Sequence, residues 1–345
     1  MCKFWSWWSW KWREWIILID ITQKNINEDF DTYALRLYSN AKDYGLNSYS
    51  IADLLNLESG KNKGESAWRK YYKAFNCGRI YERNLGENGI FTRILVCSDF
   101  HVPYNLNKEI FQNYVGITDI LVLNGDIQDN QSVSSFPKKY RIPFVEEMIL
   151  ARQYIIDLID YIKPKKVIIN KGNHEDRLLR MLSDKLNDDL LNLMPDSSLD
   201  LIINDGFKNS DRRNRTEIWY SPIKDVFENI IVEYSGDWKC KIGKTIIAHP
   251  LSYSSGMLKT TEKAVDFFLR QDRDFDCVIL GHTHKLGSYI QGGIYMYEQG
   301  CCCKTEEMNY TDGKFCLPQQ KGFMYVCQKN DGALIHEKTK LIEIK

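Results

Sequence analysis

The sequence predicts an α/β fold with a small helical module ahead of it. Two observations point there. Short β-branched and leucine-rich runs alternate with helical stretches from Phe91 to Leu280, and each run stops at a segment rich in Asp, Asn, Gly or His. Residues 26–90 instead carry helical periodicity.

Taken in order, the first 25 residues are dominated by tryptophan. Six of the nine tryptophans, Trp5, Trp7, Trp8, Trp10, Trp12 and Trp15, are interspersed there with Lys3, Lys11 and Arg13. The purely apolar piece, Trp15 to Ile19, is too short to cross a bilayer, which takes about 20 residues. No transmembrane segment or signal peptide is expected. Tryptophan mixed with cations suits contact with a membrane interface or a docking partner, and a disordered tail is the plain alternative.

Residues 26–90 read as a helix-turn-helix-like module. Thr32 to Asp43 is helical by pattern, Ile51 to Leu55 lies in a second helix, and Ser66 is placed to cap a third through Trp68, Tyr71, Tyr72 and Phe75. From Ser59 to Asn84 seven basic residues face two acidic ones. Lys61, Lys63, Arg69, Lys70 and Lys73, interleaved with aromatics, are the candidate phosphate contacts to nucleic acid. The competing reading is a solvated basic helix with a purely structural role.

Beyond residue 91 the strand-like runs are Phe91–Cys97, Asp119–Leu123, Lys166–Asn170 and Phe275–Leu280, expected to be buried and parallel. Helices are expected at Asn107–Tyr114, Val145–Ile162 and Asp176–Leu186. Open α/β sheets bind ligands at the carboxyl ends of their strands, so one crevice could collect every segment that follows a run. Residues 187–238 read as a polar, charge-rich insertion, with Ser210–Arg215 a surface loop able to act as a lid. Short strands are expected at Ser288–Gln291, Gly293–Tyr297, Phe323–Gln328 and Ala333–His336, with Asp331-Gly332 a hairpin turn.

Five segments carry the chemistry, and five of the six histidines fall in them. They are Ser98-Asp99-Phe100-His101, Asn124-Gly125-Asp126-Ile127-Gln128-Asp129, Lys171-Gly172-Asn173-His174-Glu175, Ala248-His249-Pro250 and Leu280-Gly281-His282-Thr283-His284. Neutral imidazole is the commonest metal ligand, so this distribution points to a metal centre. His336, outside every segment, reads as a surface residue.

The order D-x-H, G-D-x-x-D, G-N-H-E, single His, G-H-T-H resembles the calcineurin-like metallophosphoesterase superfamily, over about Thr92 to Lys345. The resemblance implies a four-layer α-β-β-α sandwich over residues 91–345. It also implies a phosphoesterase with two divalent ions. Asp99, His101, Asp126 and His284 would hold one ion; Asn173, His249 and His282 would hold the other, with Asp126 bridging. Those donors include no thiolate, which suits Mn²⁺ first, with Fe, Zn²⁺ or Ni²⁺ as alternatives. Two ions about 3.5–4 Å apart clamp a phosphate and activate a bound hydroxide for in-line attack. His174 would face the phosphate with Asp129 orienting its ring, and Arg177 would touch the phosphate or pair with a surface acid.

One departure narrows the reading. The protein phosphatase branch extends its second block with an arginine, where this chain has Asp129-Asn130-Gln131. A phosphodiester, with DNA or RNA as a candidate and a nuclease as the activity, is favoured over a phosphoprotein. The alternatives are a phosphomonoesterase or protein phosphatase, and a non-catalytic DNA-binding or structural protein that retains the domain. Similar modules precede phosphoesterase domains in phage-like proteins, which implies a phage or mobile-element origin.

Composition sets outer bounds. Formal net charge is +0, so no global basic field attracts polyanions. Ten cysteines without a C-x-x-C pair suit a reducing, intracellular, cytoplasmic setting. The triplet Cys301-Cys302-Cys303 is expected to form a strand of buried thiols, with a reactive or metal-binding role as the alternative.

Overall fold

The computed structural model describes residues 22–25, 28–87, 91–135, 141–211, 214–256, 258–308 and 318–345. The tryptophan run Trp5 to Trp15, and the tip of the loop expected at Ser210–Arg215, lie outside the described residues. Two compact units divide the chain, Met1–Asn84 and Leu85–Lys345.

The first unit holds α1 (Phe30–Ser39), α2 (Ser48–Ser59) and the start of α3 (Glu65–Glu87). Local chemistry sets the boundaries. The Asp29 carboxylate accepts the Thr32 N–H at 2.8 Å, and Asn47 and Ser50 form a reciprocal capping box on α2. Gly60, at φ +65°, closes α2 in the left-handed conformation. Ser66 does not cap α3: the helix starts at Glu65, which puts Gly64 at the N-cap and Ser66 inside the first turn. Tyr33, Ala34, Leu37, Ile51, Ala52, Leu55 and Trp68 form the core. Trp68 is wholly enclosed, and its indole N–H donates to Asn56 Oδ1 at 2.8 Å. Arg36 forks onto Glu28 at 2.9 and 2.8 Å, so its buried charge is paired.

Thirteen strands are described in all, twelve of them in the order β1 (Phe91–Cys97), β2 (Ile120–Asn124), β3 (Lys166–Asn170), β4 (Phe207–Asp211), β5 (Thr216–Tyr220), β6 (Ile231–Tyr234), β7 (Lys239–Ile242), β8 (Thr245–Ala248), β9 (Cys277–Leu280), β10 (Leu286–Gln291), β11 (Ile294–Gln299) and β12 (Gly322–Lys329). The last is β13 (Lys340–Glu343); the longer helices are α4 (Phe144–Ile162), α5 (Asp176–Ser183) and α6 (Lys259–Leu269). A six-stranded sheet runs β13-β12-β1-β2-β3-β6 and a five-stranded one β10-β11-β9-β8-β7, while β4 and β5 form a separate hairpin. β1, β2, β3 and β6 are parallel neighbours; so are β8, β9 and β11.

Side-chain alternation explains why these strands read as unbroken apolar runs. On β1, Leu95 and Cys97 pack towards α4 with Ile155, Leu158 and Ile159, whereas Ile94 and Val96 meet Ile247, Cys277 and Ile279 of the other sheet. On β9, Val278 and Leu280 turn to Val265 and Phe268 of α6. Both faces of both sheets are therefore covered, and the layers are helix, sheet, sheet, helix. This is the expected α/β sandwich.

Phe323–Gln328 forms a strand as expected, β12, and pairs antiparallel with β1 in the six-stranded sheet. Several expectations need correction. The span 187–238 is not simply a surface insertion: β6 extends the main sheet, and Leu199, Ile202, Ile203 and Ile223 sit in the core. Ala333–His336 forms only an isolated bridge at Leu334. Asn107–Tyr114 becomes a 3₁₀ helix, and α5 ends at Ser183 rather than Leu186. Period-2 patterns identify strands but not partners, since register depends on distant segments.

Candidate metal centre

Each motif follows the carboxyl end of a parallel strand. Asp99 and His101 follow β1, Asp126 and Asp129 follow β2, and Asn173, His174 and Arg177 follow β3. His249 follows β8; His282 and His284 follow β9. Adjacent parallel strands deliver all five loops to one place, and two sheets contribute.

The loops turn sharply. Asp99, His101, Asp126, His282 and His284 have φ between 46° and 71°, a region uncommon for any residue but glycine and least so for Asn, Asp and His. Such strain persists only where surrounding contacts over-determine it. Two glycines show how tight the packing is. A Cβ on Gly172 would lie 2.2 Å from Asp126 Oδ1, and one on Gly125 2.6 Å from the His249 ring.

Two groups of donors converge. Asp99, His101 and His284 form one, and Asp126, His249 and His282 the other, with the ligand atoms of each group within 4.8 Å of one another. His284 Nε2 lies 3.0 Å from Asp99 Oδ1 and 3.2 Å from His101 Nε2. His249 Nε2 lies 3.3 Å from Asp126 Oδ2 and 3.3 Å from Asn173 Oδ1. The Asn124 carbonyl accepts from His249 Nδ1 at 2.7 Å, which aims Nε2 into the cluster. Asp126 Oδ2 is also 3.9 Å from His101 Nε2, so this carboxylate faces both groups. All seven sequence-predicted ligands are thus brought together.

The charges are mutually dependent. Burial pushes the Asp99 and Asp126 carboxyls up, but the surrounding imidazoles, His249 among them, hold both below the usual carboxylate range. Against burial, Asp126 and Asp99 push His249 up to about 9. Burial and the His249 charge push His282 down to about 4. Enclosed ionisable groups at this density are normally paired or bound to metal. The donor types and the glycine-only cradle both fit divalent ions.

Asp129, His174 and Arg177 form a third constellation. Asp129 Oδ1 is 3.2 Å from His174 Nδ1 and 3.7 Å from His101 Nδ1. Arg177 donates to the Asp129 carbonyl at 2.6 Å and stands 2.8 Å from His174 Nε2. Since guanidinium only donates, Nε2 accepts there and the imidazole proton sits on Nδ1, facing Asp129. These contacts of Arg177, to Asp129 and His174, lie within the buried cluster.

Two carboxylates were not legible as functional. Glu175 accepts four backbone N–H groups, from Asp126, Ile127, Gln128 and Gly172. Glu147 on α4 accepts from the Asn130 and Gln131 backbones. Glu175 stood inside the G-N-H-E block, which was its only signal.

The thiol triplet differs from expectation as well. All three cysteines are buried, but they lie between isolated bridges rather than in a strand. Cys301 and Cys303 gather with His284, their ligand atoms within 4.8 Å of one another. The neighbourhood of the centre therefore does contain sulfur.

The family profile described as calcineurin-like phosphoesterase matches residues 92–286, and that of the YonJ N-terminal domain matches residues 20–85. The SPbeta prophage-derived uncharacterized protein YonJ of Bacillus subtilis (strain 168) is 39% identical over 62 residues, which cover 18% of this chain and 15% of that protein. Among solved structures, a metallophosphoesterase from Sphaerobacter thermophilus is 14% identical, with 74% of this chain and 89% of that one covered and a TM-score of 0.34. An archaeal phosphodiesterase is 14% identical over 73% of this chain and 100% of its own, also at 0.34. Vacuolar protein sorting 29 from Cryptosporidium parvum is 13% identical over 74% and 99%, again at 0.34. The matched profile spans all five motif blocks and more than half of the 345 residues, and the chain belongs to the calcineurin-like phosphoesterase family.

Proposed function

We propose that this chain is a dinuclear metal-dependent phosphodiesterase. Asp99, His101, Asp126 and His284 would hold one divalent ion, and Asn173, His249 and His282 would hold the second, with Asp126 serving both. The observation that carries this reading is the convergence of two donor groups on either side of the Asp126 carboxylate. When bound, the ions clamp the phosphate and activate water for in-line displacement. Oxygen and nitrogen donors favour Mn²⁺ there.

The remaining work falls to side chains. Asp129 holds the His174 ring in one tautomer, and Arg177 covers its Nε2 in the free enzyme. An arriving phosphate competes for the guanidinium and uncovers that nitrogen, 3.7 Å from Asp126 Oδ2. Nε2 then takes a proton from water, and the imidazolium, paired with Asp129, gives it to the leaving oxygen. A phosphomonoester carries about −1.5 to −2 charges at neutral pH and calls for an added cation, whereas a diester carries one. The position after Asp129 supplies none: Asn130 is buried and donates to the His174 carbonyl at 2.9 Å. That supports the diester.

Nucleic acid is the favoured diester. Lys61, Lys70 and Lys73 are exposed on the first unit. Lys63 lies over the Trp68 ring at 4.8 Å and Arg69 pairs with Glu65 at 3.3 Å, so those two cations have partners within the unit. The matched prophage protein supports a phage or mobile-element origin. Free thiols at Cys97, Cys240, Cys277, Cys301, Cys302, Cys303 and Cys327 support a reducing, cytoplasmic setting, and no described helix is long and apolar enough to cross a membrane.

Hydrolysis of bis(p-nitrophenyl) phosphate with Mn²⁺, and its loss in Asp126→Asn, tests the reading. Preference for p-nitrophenyl phosphate would point to a phosphomonoesterase. Two bound ions without turnover on either ester, or on DNA or RNA, would point to a non-catalytic scaffold.

A further inference from the structure

We infer that Cys301, Cys303 and His284 form a thiolate–imidazole site for a thiophilic divalent ion of the Zn²⁺ class. The inference deepens the reading above, because His284 also serves the first ion there. A neutral imidazole offers one lone pair, so His284 serves both ions only as the imidazolate, its remaining N–H proton passing to solvent as the second ion binds.

The backbone presents the sulfurs in fixed alternation. Cys301 bridges to Lys321 and Cys303 to Asn105. Between them, the Cys302 N–H donates to the Ser98 and Asp99 carbonyls at 3.0 and 3.2 Å, and the Cys302 carbonyl accepts the Leu106 N–H at 2.9 Å. Cys302 therefore turns into the main core, while Cys301 and Cys303 share the opposite face with Met308 and Tyr104. Both thiols on that face are fully enclosed and stand against the His284 imidazole, the three ligand atoms within 4.8 Å of one another.

Tetrahedral zinc, with bonds of about 2.0–2.3 Å, places its ligand atoms about 3.3–3.8 Å apart, so small side-chain movements bring these three donors to bonding distance and leave one position to a further ligand. Cys97 and Cys277 are the internal contrast: equally buried, they sit among apolar strand residues and join no such donor group among the described residues. Soft sulfur selects zinc-like ions, whereas the oxygen and nitrogen donors nearby suit manganese. Mn²⁺ therefore discriminates against the thiol site, whereas ions of the Zn²⁺ class can enter either.

The test uses the full, reduced, metal-stripped chain titrated with Co²⁺, which gives a near-ultraviolet charge-transfer band only when bound to thiolate. The expected result is a saturable band that Cys301→Ser/Cys303→Ser abolishes, that each single variant weakens, and that Cys302→Ser retains. A cobalt-loaded chain without the band overturns the site, as does a band that persists in the double variant. If circular dichroism shows that the double variant is unfolded, the singles decide, and an unchanged band in both overturns the site. Mn²⁺ binding followed by calorimetry separates the two readings. A thiolate band without Mn²⁺ binding sinks the dinuclear centre and supports the thiol site; two Mn²⁺ ions without the band do the reverse.

Discussion

Glu175 Oε2 accepts the backbone N–H of Asp126 at 3.0 Å and that of Gly172 at 2.8 Å. Its other oxygen accepts from Ile127 and Gln128 at 2.9 and 3.1 Å. One buried side chain thus locks the loop after β2 to the loop after β3. Burial and the Asp126 charge push its pKa up to about 7, while the N–H donors favour the ionised form.

Replacing Glu175 by Gln puts an amide NH₂ where an acceptor is needed and leaves enclosed N–H groups unpaired. Each such group costs about 1–3 kcal/mol. Loss of an outer support typically weakens metal affinity by about 10–100-fold. Urea unfolding and Mn²⁺ titration of Glu175→Gln should show both effects. Wild-type stability together with wild-type affinity would contradict the locking role.

His174→Ala should retain both ions and lose about 10²–10⁴-fold in kcat, the usual contribution of a positioned proton carrier. Elemental analysis beside kinetics checks it. Loss of metal comparable to Asp126→Ala would move His174 into the ligand set.

Gly172→Ala should be poorly tolerated. The new Cβ would lie 2.3 Å from the Asp126 backbone nitrogen, an atom the Glu175 contacts prevent from retreating. Overpacking typically costs about 1–3 kcal/mol, and immovable backbone puts this case at the upper end. A melting temperature equal to wild type would be the contrary result.

Asp119 and Arg93 form a buried pair between β1 and β2, with Arg93 Nε 2.9 Å from Asp119 Oδ2. Burial raises the carboxyl, but the hydrogen bonds and charge of Arg93 outweigh it and hold Asp119 below the usual carboxylate range. A depressed carboxylate stabilises the fold above its unfolded pKa, about 3.9, and loses that contribution as pH falls through the folded value. Asp119→Asn should therefore destabilise at pH 7, where breaking a buried pair costs about 3–5 kcal/mol. Its stability should also decline less than wild type below about pH 4. Parallel acid-unfolding curves would refute the assignment.

If the first unit binds phosphates, Lys61→Ala/Lys70→Ala/Lys73→Ala in the full chain should weaken DNA binding. The salt slope should also become shallower by roughly 0.9 for each phosphate that is no longer neutralised. Hydrolysis of a small diester should be unchanged. Unaltered affinity, measured across a salt series, would favour a purely structural role.

What the sequence determined by itself was local. Residue identity places the strands, because β1 and β3 are branched apolar runs flanked by Asp and Gly. It also places the donors, because imidazole and carboxylate chemistry is written in the letters D-x-H and G-H-T-H. Helix limits were less legible: Asn47 caps α2 without a sequence expectation naming it, and Ser66, expected to cap α3, lies inside its first turn.

Tertiary structure decided the rest. Which sheet receives β9 and β12 depends on pairing between segments far apart in the chain, and no local pattern encodes that. Glu175 and Glu147 serve backbone N–H groups, which every residue but proline possesses, so sequence offers no sign of whom a buried carboxylate will meet. Cys301 and Cys303 reach His284 only because β9 and β11 are neighbours and the chain then passes beneath the Asp99 carbonyl. The donors were legible as chemistry; their meeting place was decided by non-local packing.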